Sequence, residues 1–302
     1  MSLLAPFFFR NLEHHSSKVF EKIHVSQEEI FGARFYHASA KLNSPGAFLQ
    51  DVPILKNEVY GNFHSSGSSA KKPIAVYKAI SEGLERLAYY QCVNSNNYGF
   101  DVDPTTNGMA AFPEFFYLNS KKNAKSEAAE RFVLIALNEG SVDIRRIDSS
   151  GIKLKLEKDI DFYMVEHPIL SASTFILSHY YDQEEAIHCY GFCNSHSLDA
   201  AFERSIVELY RNWTVLRARK KRHDNAPESI WEKRLVFFST QSGWNTFKKL
   251  VSKPRMSRPD IPKINFNGPV IGPWTKWAKV WRHSYKLPSK RYLTGDEDYF
   301  FF

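Results

Sequence analysis

The sequence predicts an α+β fold in which helices pack on sheets in repeated strand–loop–helix units. Three observations predict it. The hexapeptide Ser81-Glu82-Gly83-Leu84-Glu85-Arg86 returns with the same S-E-x-x-E-R spacing as Ser126-Glu127-Ala128-Ala129-Glu130-Arg131, each copy near the start of a helix-like run. Each copy follows a segment of glycine and small residues, 61–70 before the first and 106–111 before the second. A third unit passes from the apolar run 174–178 through the glycine-containing segment 191–196 into a helical pattern over 200–211. Helices that each carry an apolar stripe need a sheet to cover it, and that requirement selects the mixed class.

Taken in order, residues 1–58 mix short apolar runs with charged turns and read as strands and a helix packed on the main body. The apolar start at 1–10 has no basic region before it and reads as a packed segment rather than a signal peptide. Residues 59–213 hold the three units. Between the second and third, 142–147, 151–156 and 161–165 read as strands, and 151–156 alternates apolar and charged positions as one buried face requires. A helix starting near Asp199 ends in Arg217, Arg219, Lys220, Lys221 and Arg222, cations that complement its dipole. Residues 214–302 form a basic extension rich in Pro and Trp. There Trp274, Trp277 and Trp281 fit one face of a short helix beside Lys276, Lys279 and Arg282. That helix either docks on the core or offers an aromatic–basic surface to a partner or an acidic peptide.

Composition narrows the function. The 302 residues are 43% hydrophobic and 15% aromatic, which is globular rather than disordered. No apolar run reaches the length of a membrane span. Three cysteines are an odd number and no disulfide framework, so a reducing cytoplasm is expected. The net charge of +7 permits nucleic-acid binding, but no nucleic-acid motif accompanies it. His188, Cys189, Cys193 and His196 place four zinc-ligand types close together, at a spacing looser than a knuckle; buried cysteines acting as small hydrophobes explain them as well.

The repeated hexapeptide carries the chemistry. Carboxylates three apart share one helical face, so Glu82 with Glu85 and Glu127 with Glu130 form two pairs on two helices. Such pairs suit hard divalent cations, and Mg²⁺ is usually held together with substrate phosphates. The arginine after each second carboxylate points elsewhere, toward another ligand atom or the back of the site. The loop 61–70, with Ser66, Ser68 and Ser69, offers hydroxyls and backbone N–H groups to phosphate. Arg204 and Glu208, four apart, share a face of the third helix. Together these suggest an ATP/Mg²⁺ site.

In order and approximate spacing, residues 60–212 resemble the YcaO domain family. That family has a Gly/Ser loop before a helix with S-A-x-x-E-x-x-E-R, a T-S-N-G-L-A turn before a second E-x-x-E-R, and a late R-A-L-T-E. Here these become 78–86, 106–111 with Glu127, Glu130 and Arg131, and 204–208. The resemblance implies a domain that phosphorylates a peptide-bond oxygen with ATP so that a nucleophile attacks the amide carbon. The products are azolines by cyclodehydration, thioamides or amidines in a ribosomally made peptide or a protein. It implies Glu82, Glu85, Glu127 and Glu130 as ligands of Mg²⁺ ions bridging the triphosphate, with Arg131 and Arg204 as phosphate or carboxylate partners and Glu208 beside them. It also implies a peptide or protein substrate, delivered by a leader-binding or TfuA-like partner protein, and is compatible with a homodimer.

The sequence departs from the family at several positions. Lys78 stands where the family usually has Ser, and would contact a phosphate or fill a metal's place with its own charge. Phe115 and Asn119 stand where the family has Asn and Glu, and Arg211 where it has Gln or Glu. The end, 299–302, is aromatic where azoline-forming members are often Pro-rich. A catalytically degenerate YcaO-like scaffold that holds substrate or a partner is therefore the second expectation.

Overall fold

The structure is a computed structural model describing residues 19–43, 65–95, 97–148, 156–222, 227, 229–253 and 261–302. The chain forms two compact units: 1–29, 34–128 and 264–286 in the first, 30–33, 129–263 and 287–302 in the second. The segment beyond residue 213 therefore contributes to both.

In the first unit, β1 (Phe20–Ile30), β2 (Ala33–Leu42) and β3 (Ser65–Ser69) form one sheet in that order. Helix α1 (Lys72–Cys92) lies on β3 and starts with Pro73 in its first turn, where the missing N–H costs nothing. A Cβ on Gly67 would stand 2.4 Å from Ala75 O and 2.5 Å from Lys78 Cβ, so only glycine lets the helix approach this strand. This changes the reading of the Gly/Ser segment. Residues 65–69 are a mostly buried strand, not a phosphate loop, because small side chains are what a closely packed helix demands beneath it. Residues 61–64 lie outside the described region.

A second sheet in this unit has the order β4 (Met109–Phe112), β10 (Lys279–Tyr285), β9 (Ile264–Val270), all antiparallel. The tryptophan series is not a helix. Trp274 is buried in a 3₁₀ turn (Pro273–Lys276) with its indole N–H on Val270 O at 2.9 Å, whereas Trp281 lies on β10. Arg282, fully buried on β10, donates to the carbonyls of Tyr98, Asp103, Thr105 and Asn107 and stacks on Phe100 at 3.9 Å. It thereby satisfies the backbone of the loop that leads into β4.

Helix α2 (Tyr117–Asn138) begins in the first unit and ends in the second. The second unit is built on the antiparallel sheet β5 (Asp143–Ile147), β6 (Asp161–Glu166), β7 (Thr174–Asp182), β8 (Ile187–Ser195). The strands expected at 142–147 and 161–165 are β5 and β6; residues 151–155 lie outside the described region. Helix α3 (Leu198–Arg222) covers β7 and β8. The helices α4 (Ile230–Phe238) and α5 (Gln241–Ser252) follow, their N-caps Ser229 and Thr240 accepting from the N–H groups of Glu232 and Gly243. Arg234 on α4 is fully buried and donates to the carbonyls of Arg291, Tyr292, Thr294, Asp296 and Phe301, fixing the aromatic segment 299–302 to this unit.

Two buried histidines seat α5. His179 and His188 bond through their rings at 3.0 Å, and both stack on Trp244, at 4.2 and 5.1 Å. Burial, His179 and Lys248 pull His188 down from 6.5 to about 4. Burial and Arg146 lower His179 against the opposing pull of Asp161. The unfolded chain therefore binds protons that the folded chain refuses, and this contribution to stability falls as pH drops from about 6.5 toward about 4. His188→Gln should be the less stable protein at pH 8, and the gap in urea midpoint from wild type should narrow across that window.

Candidate active site

Each glutamate of the repeated hexapeptide is held by a backbone N–H. On α1, Glu82 Oε2 accepts from Ser66 N on β3 at 2.8 Å, and Glu85 Oε1 accepts from Ala111 N on β4 at 2.8 Å. On α2, Glu127 Oε2 accepts from Met109 N at 3.1 Å. In the second unit, Glu130 Oε2 accepts from Asn194 N on β8 at 2.7 Å. Both hexapeptides sit well inside their helices rather than near the start.

The first unit thus brings Glu82, Glu85 and Glu127 together. Burial, then the charge of Glu127, then that of Glu82 raise Glu85 well above the usual carboxylate range, against the Ala111 N–H and Arg86. Arg86 does not point away from its carboxylates. Its guanidinium turns back on Glu82 Oε1 at 2.8 and 3.2 Å and supports the site from within the helix.

Of the other expected ligands in this unit, Lys78 Nζ donates to Ser68 O at 2.7 Å, so its charge lies against β3. Ser68 Oγ bonds the ring of His37 at 3.0 Å, and Ser69 Oγ accepts from Lys71 N at 3.3 Å. Ser66 acts through its backbone. The three serines build the strand that orients Glu82 instead of lining a loop.

In the second unit Glu130 rises to about 6. Burial is the largest cause; Glu208 adds to it, while Arg131, the Asn194 N–H and Arg204 oppose it. Arg131 lies over the rings of Phe192 and Phe301 at 5.4 and 5.6 Å, and its Nε is buried without a hydrogen-bond partner. Glu208 pairs with Arg211 at 3.5 Å. Sequence reasoning found all four carboxylates but missed the amides of Ser66, Met109, Ala111 and Asn194. The signal for two of them is present in 106–111: Gly108, at φ 70°, makes the turn that delivers β4.

The donor set suits Mg²⁺ with a polyphosphate better than a bare ion. Among the described residues, no three His, Cys, Asp or Glu groups converge to hold a metal by themselves. Mg²⁺ is ordinarily held by one or two carboxylates, several waters and phosphate oxygens. A cation would also offset the burial and the neighbouring carboxylate charges that raise Glu85. The zinc grouping does not form. Cys189 and Cys193 are buried on β8 with their thiols pushed up by burial, Cys193 to about 12. The ring of His196 instead bonds Ala172 O at 2.9 Å.

No family model and no curated protein matches the sequence. Solved structures do match. The structure of YcaO from Methanopyrus kandleri bound with AMPPCP and Mg²⁺ aligns over 99% of this chain and 94% of its own, at 13% identity and a TM-score of 0.60. The E. coli microcin synthetase McbBCD complex aligns over 87% of this chain and 86% of its own, at 11% identity and a TM-score of 0.54. A heterocyclase in complex with substrate and cofactor aligns over 93% of this chain but only 52% of its own, at 10% identity and a TM-score of 0.52. The chain has the YcaO fold, a fold shared with heterocyclase enzymes.

The raised Glu130 makes a prediction. An unfolded glutamate ionises near 4.5 and the folded one near 6, so this group's contribution to stability is present below 4.5 and lost as pH rises through 6. Glu130→Gln keeps an acceptor for Asn194 N and removes that loss. In thermal melts it should gain on wild type between those pH values, by on the order of 1–2 kcal/mol above them.

Proposed function

We propose that this protein binds Mg-ATP through Glu82, Glu85, Glu127 and Glu130 and uses it to activate a backbone amide oxygen of a peptide or protein. The observation that carries the reading is the gathering of Glu82, Glu85 and Glu127: three carboxylates each held by a backbone amide, with burial and the charges of Glu127 and Glu82 raising Glu85 well above the usual carboxylate range. Packing alone gives no reason to gather such charges, whereas a cation does. When bound, Mg-ATP supplies an electrophilic phosphorus and neutralises charge as the phosphoryl group moves to the amide oxygen.

The residues of the chain position and stabilise. The glutamates, fixed by their amides, act as preorganised metal ligands with one oxygen committed to the backbone. Arg131, whose Nε lacks a protein partner, and the exposed Arg204 provide cations for phosphate oxygens. A Cys, Ser or Thr side chain of the substrate, or sulfide, then attacks the activated amide carbon, and the phosphorylated oxygen leaves as inorganic phosphate to give an azoline or a thioamide respectively. The substrate is a ribosomally made peptide or a protein, delivered by a separate leader-binding or TfuA-like subunit. The reading places the protein in a reducing cytoplasm, with Cys92, Cys189 and Cys193 all unbridged; no described helix is long and apolar enough to cross a membrane.

A second reading has its own support. Lys78 is bound to Ser68 O, and Arg211 answers Glu208, so two charges that depart from the family pattern are already used inside the protein. A scaffold that holds a partner without turnover would tolerate both. Calorimetric titration with AMPPCP separates the two. The enzyme reading expects Mg²⁺-dependent binding to the wild type, weakened at least about tenfold in Glu127→Gln, which removes one charged ligand. Absence of binding to a folded wild type would leave the scaffold.

A further inference from the structure

At the start of α2 the chain exposes several large apolar side chains close together in sequence. Phe115 is 83% exposed, Leu118 63% and Tyr117 49%. Leu118, Lys121, Lys122 and Lys125 follow at i, i+3, i+4 and i+7, one exposed stripe of the helix, while Ala124 and Ala128 on the other side are buried. Among the described residues none of these three lysines pairs with a carboxylate; Lys121 instead lies over the Trp281 ring at 5.5 Å. The first turn of α2 has no acidic residue.

The placement of charge is the informative part. The first turn of a helix carries the positive end of the macrodipole, and acidic side chains are the stabilising choice there; α2 has none in that turn and continues into lysines. Three lysines raise that potential further. Glu114, just upstream, pairs with Lys279 at 3.1 Å rather than with any of the three lysines. An apolar patch continued by a basic stripe complements a segment that presents apolar and acidic side chains side by side.

We propose that Phe115, Tyr117 and Leu118, continued along α2 by Lys121, Lys122 and Lys125, form a docking surface for an acidic peptide segment bearing aliphatic or aromatic side chains. All six residues belong to the first unit. The inference goes beyond the nucleotide reading and does not depend on it.

Panning random dodecapeptides on phage against the full chain without nucleotide tests it. Enriched sequences should combine Asp or Glu with Leu, Ile or Phe. A synthetic peptide from that set should bind at least about tenfold more weakly to Lys121→Glu/Lys122→Glu/Lys125→Glu and to Phe115→Ser/Leu118→Ser. Its affinity should fall with salt and be unchanged in Glu85→Gln, so a failed nucleotide site would not affect the result. No enrichment, enrichment without acidic residues, or binding that survives both surface variants overturns the proposal. So does a wild-type dimer in sedimentation that Phe115→Ser/Leu118→Ser dissolves, since the occupant would then be a second copy.

Discussion

The hydrogen bond from a strand N–H to a helix carboxylate is the constraint around which the described structure is arranged. It occurs from Ser66 to Glu82, from Ala111 to Glu85, from Met109 to Glu127 and from Asn194 to Glu130. Where the carboxylate is ionised such a bond is stronger than a neutral pair, and in every case it fixes one oxygen while the headgroup stays near other charges. The bond requires the helix to come close to the strand. Gly67 permits this on β3, and Ala110 and Ala111 offer little side chain on β4.

Positioned carboxylates need a positioned backbone, and here the buried arginines matter. Arg282 gathers four carbonyls of the loop over 98–107, and His283 N donates to Gly108 O at 2.7 Å. That loop enters β4, whose Met109 and Ala111 amides hold Glu127 and Glu85. Arg234 does the corresponding work in the second unit for residues 291–301. A guanidinium has five donors in a rigid fork, so one side chain can replace several missing backbone partners. Lysine, with three donors on a point charge, could not satisfy the same set.

Much of the site was legible in the sequence because its signal is local. The S-E-x-x-E-R spacing places two carboxylates on one helical face wherever a helix forms, and Gly108 marks the turn before β4. The nature of the Gly/Ser segment was not legible. A run of serines and glycine reads as a loop until the helix above Gly67 is known, because its smallness answers a contact distant in sequence. The tryptophans failed for the same reason: 3.6-residue spacing among Trp274, Trp277 and Trp281 is coincidental when a 3₁₀ turn meets a strand. Arg282 read as part of an aromatic–basic surface and Arg234 gave no signal, since nothing in their neighbours in sequence announces carbonyls 57 to 184 residues away.

Burial and the charges of Glu127 and Glu82 raise Glu85 well above the usual carboxylate range, and a bound cation would draw it back. Carbon-13 resonances of the glutamate side-chain carboxyls, assigned to Glu85 by loss in Glu85→Gln, read its protonation directly. The account predicts a protonated Glu85 well above the usual carboxylate range, which ionises at constant pH when Mg²⁺ and AMPPCP are added together. A Glu85 that titrates like an exposed glutamate, or one that stays protonated when both are added at saturating concentration, would contradict it.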